Sequence, residues 1–208
     1  MTKVRIIGDV HAKFQEYFEI AEVVENSIQV GDFGFGFFRP HEMVEIVQWV
    51  NKNPSHLFIR GNHDHPQIAE GMGNYISDGY YDRKRSIFYF GGAKTPDNPG
   101  KVLIPGINWW PDEEVTEDKF LSILTRYEIA KPRVVISHDF PQSYVEDQFG
   151  HEITNTREIL QELFEIHQPD YWIGGHHHIS RREKRQNTQF ITLKELEYFD
   201  LDLPDAKD

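Results

Sequence analysis

The chain has 208 residues, a length that suits one domain, and 38% of them are hydrophobic, which is too many for a disordered protein. Its formal net charge of −12 makes bulk binding to nucleic acid or to an anionic membrane unfavourable, and its lack of cysteine excludes disulfides, Cys-zinc modules and a thiol nucleophile. No apolar run approaches the ~20 residues of a membrane span, and Gly8-Asp9 follows the N-terminus too closely for a signal peptide, so the sequence predicts a cytoplasmic protein without a membrane segment.

The first third of the chain alternates short β-branched runs with segments of helical periodicity. Strands are predicted at 4–7, 27–30 and 57–59, and helices at 14–26 and 43–52, where apolar residues recur every three or four positions. This order of strands and helices predicts a parallel sheet with helical crossovers.

The remainder predicts a hairpin within 75–92, a long loop at 91–112 and a helix at 116–127. A strand follows at 133–136, and Asn155 with Glu158 resembles a capping box that opens a helix ending at 166. A strand at 171–173 and antiparallel strands within 179–203 complete the pattern. No linker divides the chain, so we expect a single α/β domain over 1–208, with a loop or lid insertion at 79–112.

Five of the predicted strands end at a short polar block. The blocks are Gly8-Asp9-Val10-His11, Gly31-Asp32-Phe33-Gly34, Gly61-Asn62-His63-Asp64, Ser137-His138-Asp139 and Gly175-His176-His177-His178. Because ligands of open α/β folds bind at the carboxyl ends of the strands, we expect these blocks to meet. Carboxylate, amide and imidazole donors suit Mn²⁺, Fe, Zn²⁺, Ni²⁺ or Co²⁺.

The spacing within two blocks supports this interpretation. In an extended segment, residues two apart point to the same side, so Asp9 with His11 and His176 with His178 are predicted to face one cluster while His177 turns away. The preceding glycines allow the backbone to turn and approach closely. A single histidine or a single Gly-Asp turn has ordinary structural explanations, and it is the conjunction of five blocks that indicates a metal site.

The ordered set Asp-x-His, Gly-Asp, Gly-Asn-His-Asp, His and Gly-His-x-His, which spans positions 8–178, resembles the calcineurin-like metallophosphoesterases. The resemblance implies an α/β fold built as a two-layered, mixed β-sandwich flanked by helices, with a dinuclear metal centre. It implies one metal held by Asp9, His11, Asp32 and His178, and a second held by Asp32, Asn62, His138 and His176, with Asp32 as the bridge. It also implies that His63 is a general acid and that Asp64 orients it. The stretch 90–111 resembles a branch of the family found in bacteria and phages.

Charge arithmetic is consistent with this resemblance. Two divalent ions, Asp9, Asp32 and a bridging hydroxide leave a local charge of about +1, which explains how a strongly acidic chain could bind phosphate. Such a pair of ions can clamp a phosphoryl group for in-line attack, so no covalent intermediate is needed.

The sequence also departs from the protein Ser/Thr phosphatases of this superfamily. Those enzymes carry Asp-Arg-Gly shortly after the second Gly-Asp and usually Glu after Asn-His, where this chain has Phe33-Gly34-Phe35 and Asp64. Surface salt bridges, or else substitute phosphate contacts, are expected of Arg39, Arg60 and Lys94. A role in the core, or else in stacking a nucleobase or aryl group, is expected of Phe33, Phe35, Phe37, Phe38, Trp109 and Trp110.

The function expected from these features is that of a dinuclear metal-dependent phosphoesterase that hydrolyses phosphate monoesters by attack of the bridging hydroxide, with two divalent ions, Mn²⁺ first among them. Its substrate is expected to be a phosphorylated small molecule or a nucleotide-like compound. Three alternatives remain open: a phosphodiesterase acting on nucleotides or nucleic acid, a non-catalytic binding scaffold of the same fold, and a hydrolase of acyl esters.

Overall fold

A computed structural model describes residues 2–36, 43–96 and 103–203. The strands are β1 Thr2–Ile7, β2 Ser27–Gln29, β3 His56–Phe58, β4 Tyr81–Asp82, β5 Ile87–Phe90, β6 Val134–Ser137, β7 Tyr171–Gly174, β8 Arg181–Arg185, β9 Thr188–Thr192 and β10 Tyr198–Leu203. The helices are α1 Phe14–Ala21, α2 Val44–Lys52, α3 Pro66–Glu70, α4 Glu117–Ala130, α5 Gln142–Phe149 and α6 Asn155–Ile166.

The strands form two mixed sheets. The first has the order β10-β1-β2-β3, with β1, β2 and β3 parallel and β10 antiparallel to β1. The second has the order β4-β5-β6-β7-β9-β8, in which the four central strands are parallel and both outer strands are antiparallel to their neighbours. The predicted α/β sandwich of mixed sheets with flanking helices is therefore confirmed.

The β-branched and aromatic strands bury side chains on both faces of each sheet. On β6, Val134 and Ile136 join the core between the two sheets, whereas Val135 joins the core beneath the outer helices, as expected from the two-residue period of a strand. On β5, Tyr89 faces the inner core and Phe88 the outer one. Burial on both faces explains why these strands read as continuous apolar runs.

The helices cover the outer face of each sheet. Helices α1, α2 and α3 pack on the first sheet, where Tyr17 and Ile46 join one core cluster with Phe58. Helices α4, α5 and α6 pack on the second sheet, where Tyr127 and Leu160 join another. The layers therefore run helix, sheet, sheet, helix. The carboxyl ends of the strands in both sheets are thus available for a common site. Within the described residues, no helix is long and apolar enough to cross a membrane.

Three local predictions differ from the structure. Helix α6 is capped by Thr154, whose hydroxyl accepts a hydrogen bond from the Arg157 backbone N–H at 3.2 Å, so the capping box from Asn155 to Glu158 is wrong by one residue. Helix α1 ends at Ala21 instead of residue 26. The short helices α3 and α5 were not predicted.

The hairpin and the C-terminal strands are where the pattern places them. Strands β4 and β5 form the predicted hairpin, and β8 and β9 the predicted antiparallel pair. The last strand, β10, then crosses to the first sheet, where Arg5 of β1 donates a 2.8 Å hydrogen bond to Asp200. The described parts of the long loop, 91–96 and 103–112, contain no helix and no strand beyond a single bridge between Pro105 and Trp109. Its role as a lid stays a prediction.

Candidate metal centre

The five polar blocks lie together at the carboxyl ends of strands from both sheets. Asp9 follows β1, Asp32 follows β2 and Asn62 follows β3 in the first sheet. His138 follows β6 and His176 follows β7 in the second sheet. Because the two sheets pack face to face, residues more than 160 positions apart in the chain become neighbours, as in the bond from the His176 backbone N–H to Asp9 at 3.1 Å.

A first group of donors consists of Asp9, His11, Asp32 and His178. One possible ligand atom of each lies within 4.8 Å of the others. His178 Nε2 is 3.1 Å from Asp9 Oδ2, and His11 Nε2 is 3.8 Å from both Asp9 Oδ2 and Asp32 Oδ2. Two carboxylates and two imidazoles suit a divalent transition ion.

The imidazoles of this group face each other in a way that fits a cation. The Nε2 atoms of His11 and His178 are 2.8 Å apart. Two nitrogen lone pairs at that distance repel each other unless a proton or a metal ion lies between them or beside them. The pair therefore agrees with the donor chemistry of the group.

A second group lies on the other side of Asp32. His138 Nε2 is 3.4 Å from Asp32 Oδ1 and 3.1 Å from Asn62 Oδ1. The other ring nitrogen, Nδ1, is 2.9 Å from the Val30 carbonyl oxygen and must donate to it, so neutral His138 presents the Nε2 lone pair to Asn62. Two acceptors at 3.1 Å again require a proton or a cation, so these residues also fit a metal ion.

Asp32 has one oxygen toward each group, Oδ2 toward His11 and Oδ1 toward His138. This is the arrangement expected of a bridging carboxylate. Burial would raise the pKa of Asp32, but the charges on His138, His63 and His11 outweigh burial and hold it well below its usual range. For His138, burial acts to lower the pKa, yet the Asp32 carboxylate raises it to about 10 when no metal is present.

His176 is the remaining predicted ligand, and it lies beside the second group. Its ring centroid is 5.1 Å from that of His138, and its Nε2 is 3.9 Å from Asp139 Oδ2. Burial lowers the pKa of His176 to about 3, with the charges on His138 and His177 adding to burial and that on Asp139 opposing it. The ring is therefore held neutral, the form that binds a metal ion.

The backbone conformation of the histidines differs from the expected one. His11, His176 and His178 have φ of 46°, 65° and 53°, in the left-handed region, so the extended segments that would place residues two apart on one side are absent from these blocks. Asp32 shares this conformation with φ of 56°. Each block is instead a tight turn, and it is the turn that brings its side chains inward. Sparsely populated conformations of this kind cluster at functional sites.

Two glycines are required by close approach of a carboxylate. A Cβ on Gly61 would lie 2.0 Å from Asp32 Oδ1, and a Cβ on Gly175 would lie 1.9 Å from Asp9 Oδ1. Both distances are far inside van der Waals contact, so any side chain at these positions would displace an acidic side chain of the site.

Asp64 makes contacts other than the predicted one to His63. Its fully buried carboxylate accepts four backbone hydrogen bonds of 2.8–3.1 Å, from the N–H groups of Phe33, Gly34, Phe35 and Gly61. Burial and then the Asp32 charge raise the pKa of Asp64, and the N–H donors oppose the rise. The geometry thus assigns Asp64 to joining two loops and does not support the prediction that it orients His63.

His63 lies at the edge of the site. Its backbone N–H donates to Asp32 Oδ1 at 2.8 Å, and its half-buried ring is 5.7 Å from the His11 ring, measured between centroids. Its position is therefore fixed through the main chain next to the central carboxylate.

A buried network surrounds Asp139, and it was not predicted from the sequence. The Asp139 carboxylate is 2.7 Å from Arg157 Nε and 2.9 Å from His177 Nε2. Burial works to raise the pKa of Asp139, but its interactions with His176, with the hydrogen-bonded His177 and with Arg157 hold it well below its usual range. This network anchors the turn that carries His176 and His178, which explains why His177 points away from the metal groups. The signal in the sequence was an acidic residue, Asp139, directly after His138.

Several residues singled out from the sequence serve the core or the surface. Phe33 and Phe35 are fully buried and stacked on each other, with their ring centroids 4.9 Å apart, so they offer no ring face to a nucleobase. Trp110 is 3% exposed, whereas Trp109 is only partly buried. Phe37, Phe38 and Arg39 lie outside the described residues.

The two other cations considered as phosphate contacts are engaged elsewhere. Arg60 is buried, forms a 3.1 Å ion pair with Asp78 and donates to the carbonyl oxygens of Asp112 and Glu113, so it fixes the end of the long loop. Lys94 forms a 2.6 Å ion pair with Glu152. Lys94 therefore forms the expected surface salt bridge, whereas the ion pair of Arg60 is buried.

Comparison with known proteins identifies the family and the fold. The family model for calcineurin-like phosphoesterases matches residues 2–180. A dimetal phosphatase from Danio rerio has a similar structure, with a TM-score of 0.57 at 13% identity over 93% of this chain and 87% of that one. GAP50, described as the anchor in the inner membrane complex of Plasmodium, gives a TM-score of 0.50 at 13% identity over 93% of this chain and 72% of that one. A search of curated protein sequences found no significant match. The chain belongs to the calcineurin-like phosphoesterase family and is a metallophosphoesterase.

Proposed function

We propose that the chain is a dinuclear metal-dependent phosphatase that hydrolyses monoesters of small phosphorylated molecules. The observation that carries this proposal is the position of Asp32, with one carboxylate oxygen toward each of two donor groups. One ion would be held by Asp9, His11, Asp32 and His178, and the other by Asp32, Asn62, His138 and His176. Mixed oxygen and imidazole donors without sulfur suit Mn²⁺, which we propose first among the candidates.

When bound, the two ions supply Lewis-acid chemistry, activating water and neutralising the charge on phosphate. The protein residues do the rest. Asp9 and Asp32 hold negative charge in a buried site, and the neutral imidazoles keep the net charge of the loaded site positive. His63 lies next to Asp32 and beside the first group, and its imidazolium would protonate the leaving alkoxide oxygen.

The choice of a small monoester rests on the surroundings of the site. Phe33 and Phe35, which could have stacked a base, are buried in the core. The net charge of −12 also disfavours a nucleic-acid substrate. The likeness to GAP50 concerns the fold alone, so the proposal that this chain is catalytic rests on its donor set. A cytoplasmic location stays a prediction from the sequence.

The proposal is tested on protein loaded with Mn²⁺. We expect about two ions per chain by mass spectrometry of the metal content, and faster hydrolysis of p-nitrophenyl phosphate than of bis-p-nitrophenyl phosphate. Asp32→Asn should lower the occupancy of both sites. A preference for the diester would identify a phosphodiesterase, two bound ions without phosphoester hydrolysis would favour a scaffold, and turnover of p-nitrophenyl acetate alone would indicate an acyl esterase.

The acid role of His63 has its own test. His63→Gln should retain both ions and lose about 10²–10⁴-fold in kcat on an alkyl phosphate, whose alkoxide needs a proton to leave. The loss on p-nitrophenyl phosphate should be smaller, because p-nitrophenolate leaves without protonation. Equal losses on both substrates would contradict the acid role, and loss of an ion would make His63 a ligand or a support of one.

A further inference from the structure

A chain of buried hydrogen bonds leads from the site into the long loop. The amide of Asn62 lies between two partners, with Oδ1 3.1 Å from His138 Nε2 and Nδ2 3.1 Å from the Thr95 hydroxyl oxygen. Thr95 is in turn bound to Glu113, whose Oε1 accepts from the Thr95 backbone N–H at 2.7 Å and whose Oε2 accepts from the Thr95 hydroxyl at 2.5 Å.

Glu113 fixes the direction of donation along this series of hydrogen bonds. A carboxylate only accepts hydrogen bonds, so the single hydroxyl proton of Thr95 is committed to Glu113. The Thr95 oxygen can then only accept from Asn62, so the NH₂ group of Asn62 must face Thr95. Its carbonyl oxygen is left to face His138.

Burial makes this direction a requirement. Asn62, Thr95 and Glu113 are 1%, 3% and 4% exposed, so bulk water cannot satisfy a reversed amide. A flipped Asn62 would place its NH₂ group against the cation site and its oxygen against an oxygen that has no proton to give. Each unmatched buried group of this kind costs about 1–3 kcal/mol.

We propose that Thr95 and Glu113 are positioning residues that lock the Asn62 amide with its oxygen toward the second donor group. This inference rests on the proposed function, because the orientation matters for catalysis only if an ion binds beside His138. It assigns the long loop a part in metal binding, since Thr95 and Glu113 lie at its two ends.

Three variants separate this role from a merely structural one. Thr95→Val removes the hydroxyl at nearly constant volume, and Thr95→Ser keeps it. In Glu113→Gln, the side-chain oxygen must still accept from the Thr95 backbone N–H, so the new NH₂ group faces the Thr95 hydroxyl and donates to it. The hydroxyl proton is then free to point at Asn62, which reverses the direction of donation along these hydrogen bonds. Thr192→Val is the matched control, because it removes another buried hydroxyl, one that lies 2.8 Å from the Tyr144 hydroxyl.

The first measurement is calorimetric titration of the metal-free chain with Mn²⁺. We expect one of the two binding events to weaken by about 10–100-fold in Thr95→Val and in Glu113→Gln, as is typical when a support of a metal ligand is lost. Thr95→Ser and Thr192→Val should bind both ions as the wild type does. Unchanged binding of both ions in Thr95→Val and Glu113→Gln would overturn the proposal.

The second measurement needs no metal. Hydrogen exchange of the Asn62 side-chain NH₂ group, followed by NMR, should be slow in the wild type and in Thr95→Ser, and faster in Thr95→Val. Equal exchange rates in all three would overturn the proposal. If the wild type bound fewer than two ions, the proposed function would fail, and the exchange rates would still decide whether Thr95 holds the amide. If Thr95→Val did not fold, Glu113→Gln would decide in its place.

Discussion

Asp64→Asn is the most informative single substitution, because it changes one atom in a carboxylate that joins two loops of the site. Asp64 Oδ1 accepts from the N–H groups of Gly34 and Phe35, and Oδ2 accepts from those of Phe33 and Gly61. An amide can accept only through its oxygen. Whichever way it turns, its NH₂ group faces two backbone donors, so two of the four hydrogen bonds are lost.

The magnitude follows from that count. A hydrogen bond to a charged group contributes about 1.5–3 kcal/mol, so two lost bonds lower the free energy of unfolding by about 3–6 kcal/mol. For a chain of this size that corresponds to a fall in Tm of roughly 10–20 °C. Urea denaturation of the metal-free protein at neutral pH measures the change. Asp200→Asn is the control, because Asp200 is a partly exposed carboxylate whose pair with Arg5 is expected to contribute about 1 kcal/mol.

A loss below about 1 kcal/mol in Asp64→Asn would refute this assignment of Asp64. If stability were unchanged while hydrolysis of alkyl phosphates fell selectively, Asp64 would act on His63 after all.

Two further predictions concern the site and the core. Gly175→Ala should release at least one ion, because the new Cβ would lie 1.9 Å from Asp9 Oδ1. The control Gly73→Ala should keep both ions, because a Cβ there meets nothing within 4 Å, and equal metal content in the two variants would contradict the close approach. Burial lowers the pKa of His56, and the charge of Glu22 opposes this shift. The contribution of neutral His56 to the free energy of unfolding is therefore complete above about pH 6.5 and decreases as the pH falls below that value. The free energy of unfolding of the metal-free protein should therefore fall less between about pH 7.5 and about pH 5.5 in His56→Asn than in the wild type, and equal falls would refute it.

The polar blocks could be predicted from the sequence because they depend only on where each strand ends. A hydrophobic run that stops at Gly-Asp or Gly-Asn places its polar residue at the carboxyl end of a strand, whatever the packing around it. The order of strands and helices likewise predicted parallel strands with helical crossovers, whereas the sandwich of two sheets was implied by the resemblance to the family.

Other features depend on contacts between distant segments. The left-handed turns at His11 and His178 are set by how the blocks pack on one another, and no local pattern reveals them. The resemblance implied that Asp64 orients His63, but the N–H groups that Asp64 binds come mainly from a loop about 30 residues earlier. Thr95 lies 33 residues from Asn62, so its role could be found only in three dimensions.

The pairing of β10 with β1 has a consequence for biosynthesis. Arg5 and Asp200, which bond across this pair, are 195 residues apart. A chain emerging from the ribosome cannot complete the first sheet until β10 has been made, and contacts of such long range form late. Asp9 follows β1 directly, so this acidic residue rests on an unfinished sheet until β10 has been made. Nascent chains that lack β10 should therefore neither capture metal ions nor cleave phosphoesters, and both abilities should arise together once β10 has left the ribosome.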